Sequence, residues 1–492
     1  MRLLISPRRN WFRGVVLALA ACASLAGRAQ IDELPDLGES AQAELSPQLE
    51  HRIGESIMNE IRLREPSYID DPEIDDYLTH LGRRLVETSA NPSGSFHFFA
   101  IRDDMVNAFA MFGGYIGVNT GTLLAAQTES ELAGVLAHEI AHVTQNHMAR
   151  QIAKEKQNTI PSLIAMAIGV LAARSNSSVA AGAVASAQAG LIQAQLAYSR
   201  DFEREADRVG YQNLEKAGFD VRGMGDFFER LRKVGHLYDN NAPVYLRSHP
   251  LTVERLSDMQ NRAQEAPYRQ VVSSLDFFLV RARLKAQSKP PRDAAAEFER
   301  SLREEKYASE TAARYGLAYA LLRARDLPGA QRASAPLSQS SDASPMLAGL
   351  IASIREQSGD VRGAQEIYRQ ALSRFPQARS LVYGYADSLH AAGAYRQALA
   401  FLEERLVRDS SDFKLHGLKA RTHAALGQRT QQRRAQAEYY LLQGRLGAAI
   451  EQLEFAQNEK DGDFFEMSAV DARLRELRKL QREEEQDGKK GG

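Results

Sequence analysis

Cysteine is almost missing from this chain: there is one in 492 residues, Cys22, and it lies inside the apolar N-terminal run. The folded body therefore has no intrachain disulfide, no thiolate metal site and no cysteine nucleophile, so any metal must be held by His, Asp or Glu. Net charge is missing too. Lys and Arg total 62 against 63 Asp and Glu, which gives nothing for the broad cationic field that nucleic acid or an anionic membrane surface would favour, and no nucleic-acid partner is expected. Convincing membrane spans are also lacking. The apolar runs 14–27 and 160–173 are each about 14 residues long, short of the ~20 that a spanning helix needs. What remains, 44% hydrophobic and 25% charged, is an ordinary globular balance in a chain long enough for several domains.

Arg2, Arg8, Arg9 and Arg13 precede the first apolar run, giving the order of a secretory signal: positive end, short apolar stretch, small residues. A signal peptide over 1–29 is expected, and a periplasmic location with it. Gly27 and Ala29 suit cleavage that releases Gln30, whereas Leu19-Ala20-Ala21-Cys22 reads as a lipobox that would make Cys22 a lipidated first residue. Small apolar residues continue past Cys22, which favours the soluble product; a lipoprotein anchored through Cys22 is the alternative.

From Ser46 to about Ala90, apolar residues recur at helical spacing (Ile53, Ile57, Ile61, then Ile74, Leu78, Leu81, Leu85), predicting two helices with Asp71-Pro72 starting the second. Phe96–Ile101 and Asn107–Asn119 are aromatic and β-branched and are broken at Gly113-Gly114 and Gly117, as short strands or a hairpin would be. Thr128-Glu-Ser-Glu131 is a capping-box entrance to a helix predicted from Thr128 to Ala153. Another helix is predicted from about Ile192 through Gln212, and a loop containing Ser248-His249-Pro250 closes the first domain. The C-terminal part repeats. Ala364-x3-Tyr368-x2-Ala371 recurs 34 residues later as Ala398-x3-Leu402 and 34 earlier as Ala330-x3-Ser334, the period of tetratricopeptide helix pairs. Ala449-x3-Leu453-x2-Ala456 is a fourth unit, out of phase by an insertion, and Arg405 and Ser334 depart from the pattern. The expected organisation is a first domain over 30–265, repeats over 270–475, and a charged tail over 476–492 that frays.

The chemistry sits on the Thr128 helix. His138-Glu139-Ile-Ala-His142 spaces two histidines by four residues, so both imidazoles share one face and can grip a single ion. Imidazoles without thiolates suit one catalytic Zn²⁺ per chain, with three protein ligands and a fourth position for water. Glu139 is adjacent to a ligand but too close in sequence to chelate with it, and can take that water's proton as it attacks a carbonyl carbon. Ser199-Arg-Asp-Phe-Glu203-Arg-Glu-Ala-Asp207 offers the remaining carboxylates. Glu203 and Asp207 share a helix face while Glu205 points away; spacing alone does not decide which of the pair binds the ion and which holds an imidazole.

Together with Asn107-Ala108-Phe109-Ala110 and Gly113-Gly114-Tyr115-Ile116, these motifs resemble the zinc metallopeptidases that include the HtpX heat-shock proteases and the CAAX prenyl endopeptidases. Export, the lack of spanning helices, the repeats and Leu34-Pro35-Asp36-Leu37-Gly38 resemble one branch, the BepA-like (YfgC-like) β-barrel assembly-enhancing proteases. The resemblance implies an α+β zincin-type metallopeptidase domain, mostly helical with a small sheet, followed by an all-α tetratricopeptide array. It further implies that His138, His142 and Glu203 are zinc ligands, that Glu139 is the base, and that Asp207 is an orienting or proton-donating residue. The Asn107–Asn119 segment, with Asn107, Ala108, Phe109, Gly113 and Gly114, resembles the family's substrate-pairing edge strand, although Phe112 stands where many relatives have proline. His249 resembles a histidine in a loop over the metal, either as a fourth ligand that keeps the enzyme latent or as a group that stabilises the oxyanion. Implied clients are outer-membrane β-barrel proteins; implied partners are the β-barrel assembly machinery and the lipopolysaccharide-transport barrel protein. A non-proteolytic repeat chaperone or adaptor with a latent metal site is the alternative.

Overall fold

The computed structural model describes residues 46–155, 199–236, 244–267 and 269–490. The expected signal with Cys22, the Leu34–Gly38 motif, the run 160–173 and the start expected near Ile192 lie outside the described residues.

Helix α1 (Pro47–Arg64) starts at Ser46, whose hydroxyl accepts from Leu49 N, and α2 (Pro72–Val86) starts at Asp71, whose carboxylate accepts from Glu73 N. Both have proline in the first turn, where no hydrogen bond is lost. A four-stranded sheet follows, of β1 (Tyr68–Ile69), β2 (His97–Ile101), β3 (Ala108–Ala110) and β4 (Tyr115–Asn119), in the order β1-β2-β4-β3. Strand β4 runs parallel to β2 and antiparallel to β3, and β3 lies at an edge of the described sheet. The hairpin expected at Asn107–Asn119 is thus β3–β4, closed by a 3₁₀ turn at Phe112–Gly114, but only its first arm is an edge; β4 is interior. Gly113 and Gly114 take φ 71° and 77° in that turn, which side chains with a Cβ rarely adopt. Phe112 is buried there against Ile53 and Ile57 of α1, so the turn is anchored by packing rather than by a proline ring.

After the short α3 (Thr120–Ala125) comes the metal-site helix α4 (Glu129–Thr144), capped by Thr128 at Glu131 N. The capping box is displaced by one residue, since the Glu131 carboxylate accepts from Gln127 N rather than Thr128 N. The continuous helix expected to Ala153 is broken instead. Asn146 takes φ 52°, and α5 (His147–Glu155) sets off in a new direction that seats Met148 and Ala149 against the α1 cluster. Next come α6 (Arg200–Lys216), capped by Ser199 and running past the expected Gln212, α7 (Arg222–His236), α8 (Val244–Ser248) and α9 (Val253–Glu265). Helix α4 is buried on every side, as a helix enclosed by α2, α6, α7 and β3 must be.

The remaining described residues form six helix pairs: α10 (Leu275–Gln287) with α11 (Pro291–Arg303), α12 (Glu310–Arg323) with α13 (Leu327–Ser334), α14 (Pro345–Gln357) with α15 (Val361–Arg374), α16 (Arg379–Ala391) with α17 (Tyr395–Arg408), α18 (Phe413–Ala425) with α19 (Arg429–Leu441), and α20 (Leu446–Gln457) with α21 (Phe464–Lys490). Ala330, Ala364 and Ala398 are fully buried on the second helices of their pairs. Ala449 follows Ala398 by 51 residues, one and a half periods, because it lies on the first helix of the last pair; no insertion is needed. Ser334 is buried and bonds its hydroxyl to Gln331 O, while Arg405 lies over the Phe401 ring and donates to Pro376 O. The tail expected to fray continues as helix α21 to Lys490.

The repeats close on the N-terminal part through the acidic N-terminal end of α2. Arg283 of α10 pairs with Asp71 and Glu73, the Tyr315 hydroxyl of α12 donates to Glu73, Arg379 of α16 pairs with Asp76, and Lys414 of α18 pairs with Asp70. One apolar cluster runs through this junction, from Ile74 and Leu78 to Phe277, Tyr315 and Ile351. Asp75 is buried there with no hydrogen-bond partner for Oδ1, and burial pushes its carboxyl up to about 7. The folded chain therefore holds a proton that the unfolded chain loses near pH 4, and stability falls as pH rises from there through about 7. Asp75→Asn is expected to raise the melting temperature over the parent by several degrees at pH 8 and by little at pH 5. An equal gain at both pH values would remove Asp75 as the source.

Candidate metal centre

Helices α4 and α6 meet closely because Gly210 has no side chain; a Cβ there would lie 3.0 Å from Ala137 O and 3.1 Å from His138 N. That approach sets the carboxylates of α6 against the histidines of α4. His138, His142, Glu203 and His249 each offer one donor atom, and these atoms all lie within 4.8 Å of one another, every residue being buried. His138 Nε2 is 3.1 Å from His142 Nε2 and 3.3 Å from His249 Nδ1, and His249 Nδ1 is 3.0 Å from Glu203 Oε1. Nitrogens about 2.0–2.1 Å from one tetrahedral zinc stand ~3.3 Å apart, so the spacing fits a single ion. The donor set is also zinc-like in kind: nitrogens and one carboxylate, with no thiolate.

Glu139, fully buried, lies beside this cluster with Oε1 3.6 Å from His249 Nε2, and neither of its carboxylate oxygens has a hydrogen-bond partner among the described residues. A carboxylate in that position needs a water or a substrate proton to face. Asp207 stands outside the donor cluster. Its Oδ1 is 3.0 Å from His138 Nδ1, where it can orient the imidazole by its far nitrogen. The ordering of the acidic pair that spacing leaves open is thus resolved geometrically: Glu203 faces the donor cluster and Asp207 backs His138.

Burial pushes His138 down, but Asp207 and Glu203 outweigh it and raise the imidazole to about 9. His142 goes the other way, lowered by burial against the opposing pull of Glu203. Burial would raise Glu203, yet His249 and His138 bring it well below the usual carboxylate range. Metal binding at this cluster requires its imidazoles bare at the ligating nitrogen and is therefore coupled to proton release.

His249 is not a solvated loop histidine. It is 2% exposed, continues the last turn of α8 through His249 N→Tyr245 O, and stacks on the Tyr245 ring at 4.7 Å. Of the expected substrate-binding residues, Asn107, Ala108 and Phe109 lie at the edge strand beside α4. Gly113 and Gly114 are committed to the turn, packed against α1 and Ser95.

Two residues escaped the sequence reading. Arg255, on the first turn of α9 and 3% exposed, makes a two-pronged contact with Asp207 (Nε to Oδ2 2.6 Å, Nη2 to Oδ1 2.8 Å). Its Nη1 lies 2.7 Å from Glu203 Oε2 and donates to Pro250 O, tying the His249-Pro250 turn to the site. His147 places Nδ1 2.9 Å from His142 Nδ1. One arginine among 62 cationic residues carries no local signature, and His147 is off the ligand face until the break at Asn146 is known.

With this geometry in view, comparison with known proteins is decisive. The model of Peptidase family M48 matches residues 72–263, and a tetratricopeptide repeat model matches 356–422. The Beta-barrel assembly-enhancing protease of Escherichia coli (strain K12) is 32% identical over 458 residues, 92% of each chain. The chain belongs to the β-barrel assembly-enhancing proteases. A Putative beta-barrel assembly-enhancing protease of Vibrio cholerae is 41% identical over 255 residues, 52% of each chain, and the Mitochondrial metalloendopeptidase OMA1 of Arabidopsis thaliana is 29% identical over 198 residues, 40% of this chain and 38% of the relative. This member of the β-barrel assembly-enhancing proteases is a metallopeptidase with a C-terminal tetratricopeptide array.

Because Arg255 faces both Glu203 and Asp207, its removal leaves two carboxylates in the interior without their cation. Arg255→Leu is expected to cost about 3–5 kcal/mol in urea unfolding of the metal-free chain, with part regained by Arg255→Lys. A loss below about 1 kcal/mol would mean that the clamp carries no weight.

Proposed function

We propose that the chain is a periplasmic zinc endopeptidase that degrades misassembled outer-membrane proteins and assists β-barrel assembly through its repeats. The observation that carries the reading is the convergence of His138, His142, Glu203 and His249 beside the unpartnered carboxylate of Glu139. A zinc ion held there supplies Lewis acidity toward the scissile carbonyl and the attacking water. Glu139 takes the proton of that water and returns it to the leaving amine, while Asp207 and Arg255 keep His138 oriented. An extended client pairs its backbone with β3, the edge strand of the described sheet, beside the helix that carries the base. The names of the relatives support a role in barrel assembly; the proposed partners are the barrel assembly machinery and the lipopolysaccharide-transport barrel protein. The periplasmic address rests on the N-terminal signal pattern, and lipidation at Cys22 is the alternative.

Glu139→Gln is expected to bind zinc as the parent does and to lose casein cleavage, while Glu203→Ala loses both. Metal content and cleavage are measured side by side. Cleavage by Glu139→Gln within tenfold of the parent would sink the base assignment.

A second reading, a repeat chaperone with a latent metal site, is favoured by one observation: His249 occupies a place in the donor set. Four protein donors leave no open position, so the resting state is closed and catalysis requires the turn to move. His249→Ala should cleave itself or casein faster than the parent at equal zinc occupancy. Slower cleavage at normal zinc would favour the oxyanion role instead.

A further inference from the structure

His147 is a buried histidine outside the donor cluster, and Glu205, expected to point away from the metal, points at it. On an unbroken helix residues 142 and 147 would stand about 140° apart around the axis. The reversal at Asn146 instead brings His147 Nδ1 to 2.9 Å from His142 Nδ1. On the far side, His147 Nε2 lies 3.2 Å from Glu205 Oε2, an oxygen that also accepts from Arg150 Nη1 at 3.0 Å. Phe202 of α6 stacks nearly flat on the His147 ring, 4.6 Å between centroids at 13°, and Arg150 lies over Phe202 in turn. The plane of His147 is therefore set by packing, and its two nitrogens by partners.

The donor and acceptor roles along this chain follow from parity. Glu205 Oε2 accepts from Arg150 Nη1 and so acts as an acceptor toward His147 too, which puts the hydrogen on Nε2 of His147. Neutral His147 then presents a lone pair at Nδ1, which is satisfied by the Nδ1 hydrogen of His142. That leaves Nε2 of His142 bare, and Nε2 is the atom that lies within the donor cluster, 3.1 Å from His138 Nε2. The opposite order would put a hydrogen on Nε2 of His142 and bar it from ligation. We propose that Glu205 and His147 are a positioning relay that fixes the tautomer and ring plane of His142 for metal binding. His138 is backed by Asp207 in the same manner, so each histidine of the helical pair has a carboxylate behind it, directly for His138 and through one imidazole for His142.

The inference rests on the zinc reading of the donor set, and the test separates the two. Zinc affinity of the full chain is measured by competition with an indicator chelator, and the electronic spectrum of the cobalt-loaded chain is recorded alongside. A parent that binds neither metal would overturn the zinc reading. Given a parent that binds, His147→Ala is expected to weaken zinc ten- to hundredfold and to shift the cobalt bands. His147→Asn, which places an amide oxygen near the position of Nδ1, should recover most of that affinity, and Glu205→Ala should show an intermediate loss. Melting of the metal-free variants checks the fold, and if His147→Ala does not fold, the Glu205→Ala arm decides alone. Zinc affinity within twofold of the parent and an unchanged cobalt spectrum in a folded variant of either residue would overturn the relay.

Discussion

The constraint on which the structure turns is the burial of charge beside the α4 histidines. Glu139, Glu203 and Asp207 are almost wholly buried, within a helix pair so close that a Cβ at Gly210 would lie 3.1 Å from His138 N. An uncompensated carboxylate in such a place costs several kcal/mol, so the surrounding elements have to answer it. Helix α9 does so with Arg255, and the turn before α9 brings His249. Helices α4 and α6, the His249-Pro250 turn and the first turn of α9 are therefore one electrostatic unit. Glu139 is the member whose oxygens have no hydrogen-bond partner among the described residues, and buried carboxylates of that kind cluster at functional sites.

Arg255 also ties the His249-Pro250 turn to the buried carboxylates. The same guanidinium that pairs with Asp207 and approaches Glu203 donates to Pro250 O, immediately after His249. One cation thus serves both the charge balance of the carboxylates and the placement of the turn that carries His249.

Much of this was legible in the sequence because the decisive features are local. The histidine pair and its glutamate need only helical spacing, and Asp71 and Thr128 cap the helices expected to start there, whereas the cap at Ser199 is not read from the sequence. The 34-residue period marks small residues where helices pack, and Ala330, Ala364 and Ala398 are buried. What could not be read depends on chain direction over distance. The break at Asn146 follows from packing of α5 on α1, and only that break gives His147 and Glu205 a place near the metal. Arg255 acquires its meaning from α9 folding back onto α6. The phase of Ala449 needed the intervening helices to be counted in space.

The junction between the two parts bears directly on the metal helix. Glu129, the first residue of α4, accepts from Ser274 N and Oγ and from the Tyr77 hydroxyl, and its own backbone N–H donates to Ser273 Oγ. Ser274 caps α10, the first repeat helix, so one set of hydrogen bonds fixes the start of the repeats and the start of the helix carrying His138, Glu139 and His142. Helix α10 also holds Arg283, which binds the end of α2. A force on the repeats is therefore applied at both ends of a short lever: at the acidic end of α2, and nine residues before the first metal-site histidine. Since α4 is packed on all sides, it has no soft surface to absorb a displacement, and packed interiors transmit strain rather than dissipate it. Repeats tied to the peptidase part in this way are more than an appended module, because a load on them falls on the helix that carries His138, Glu139 and His142.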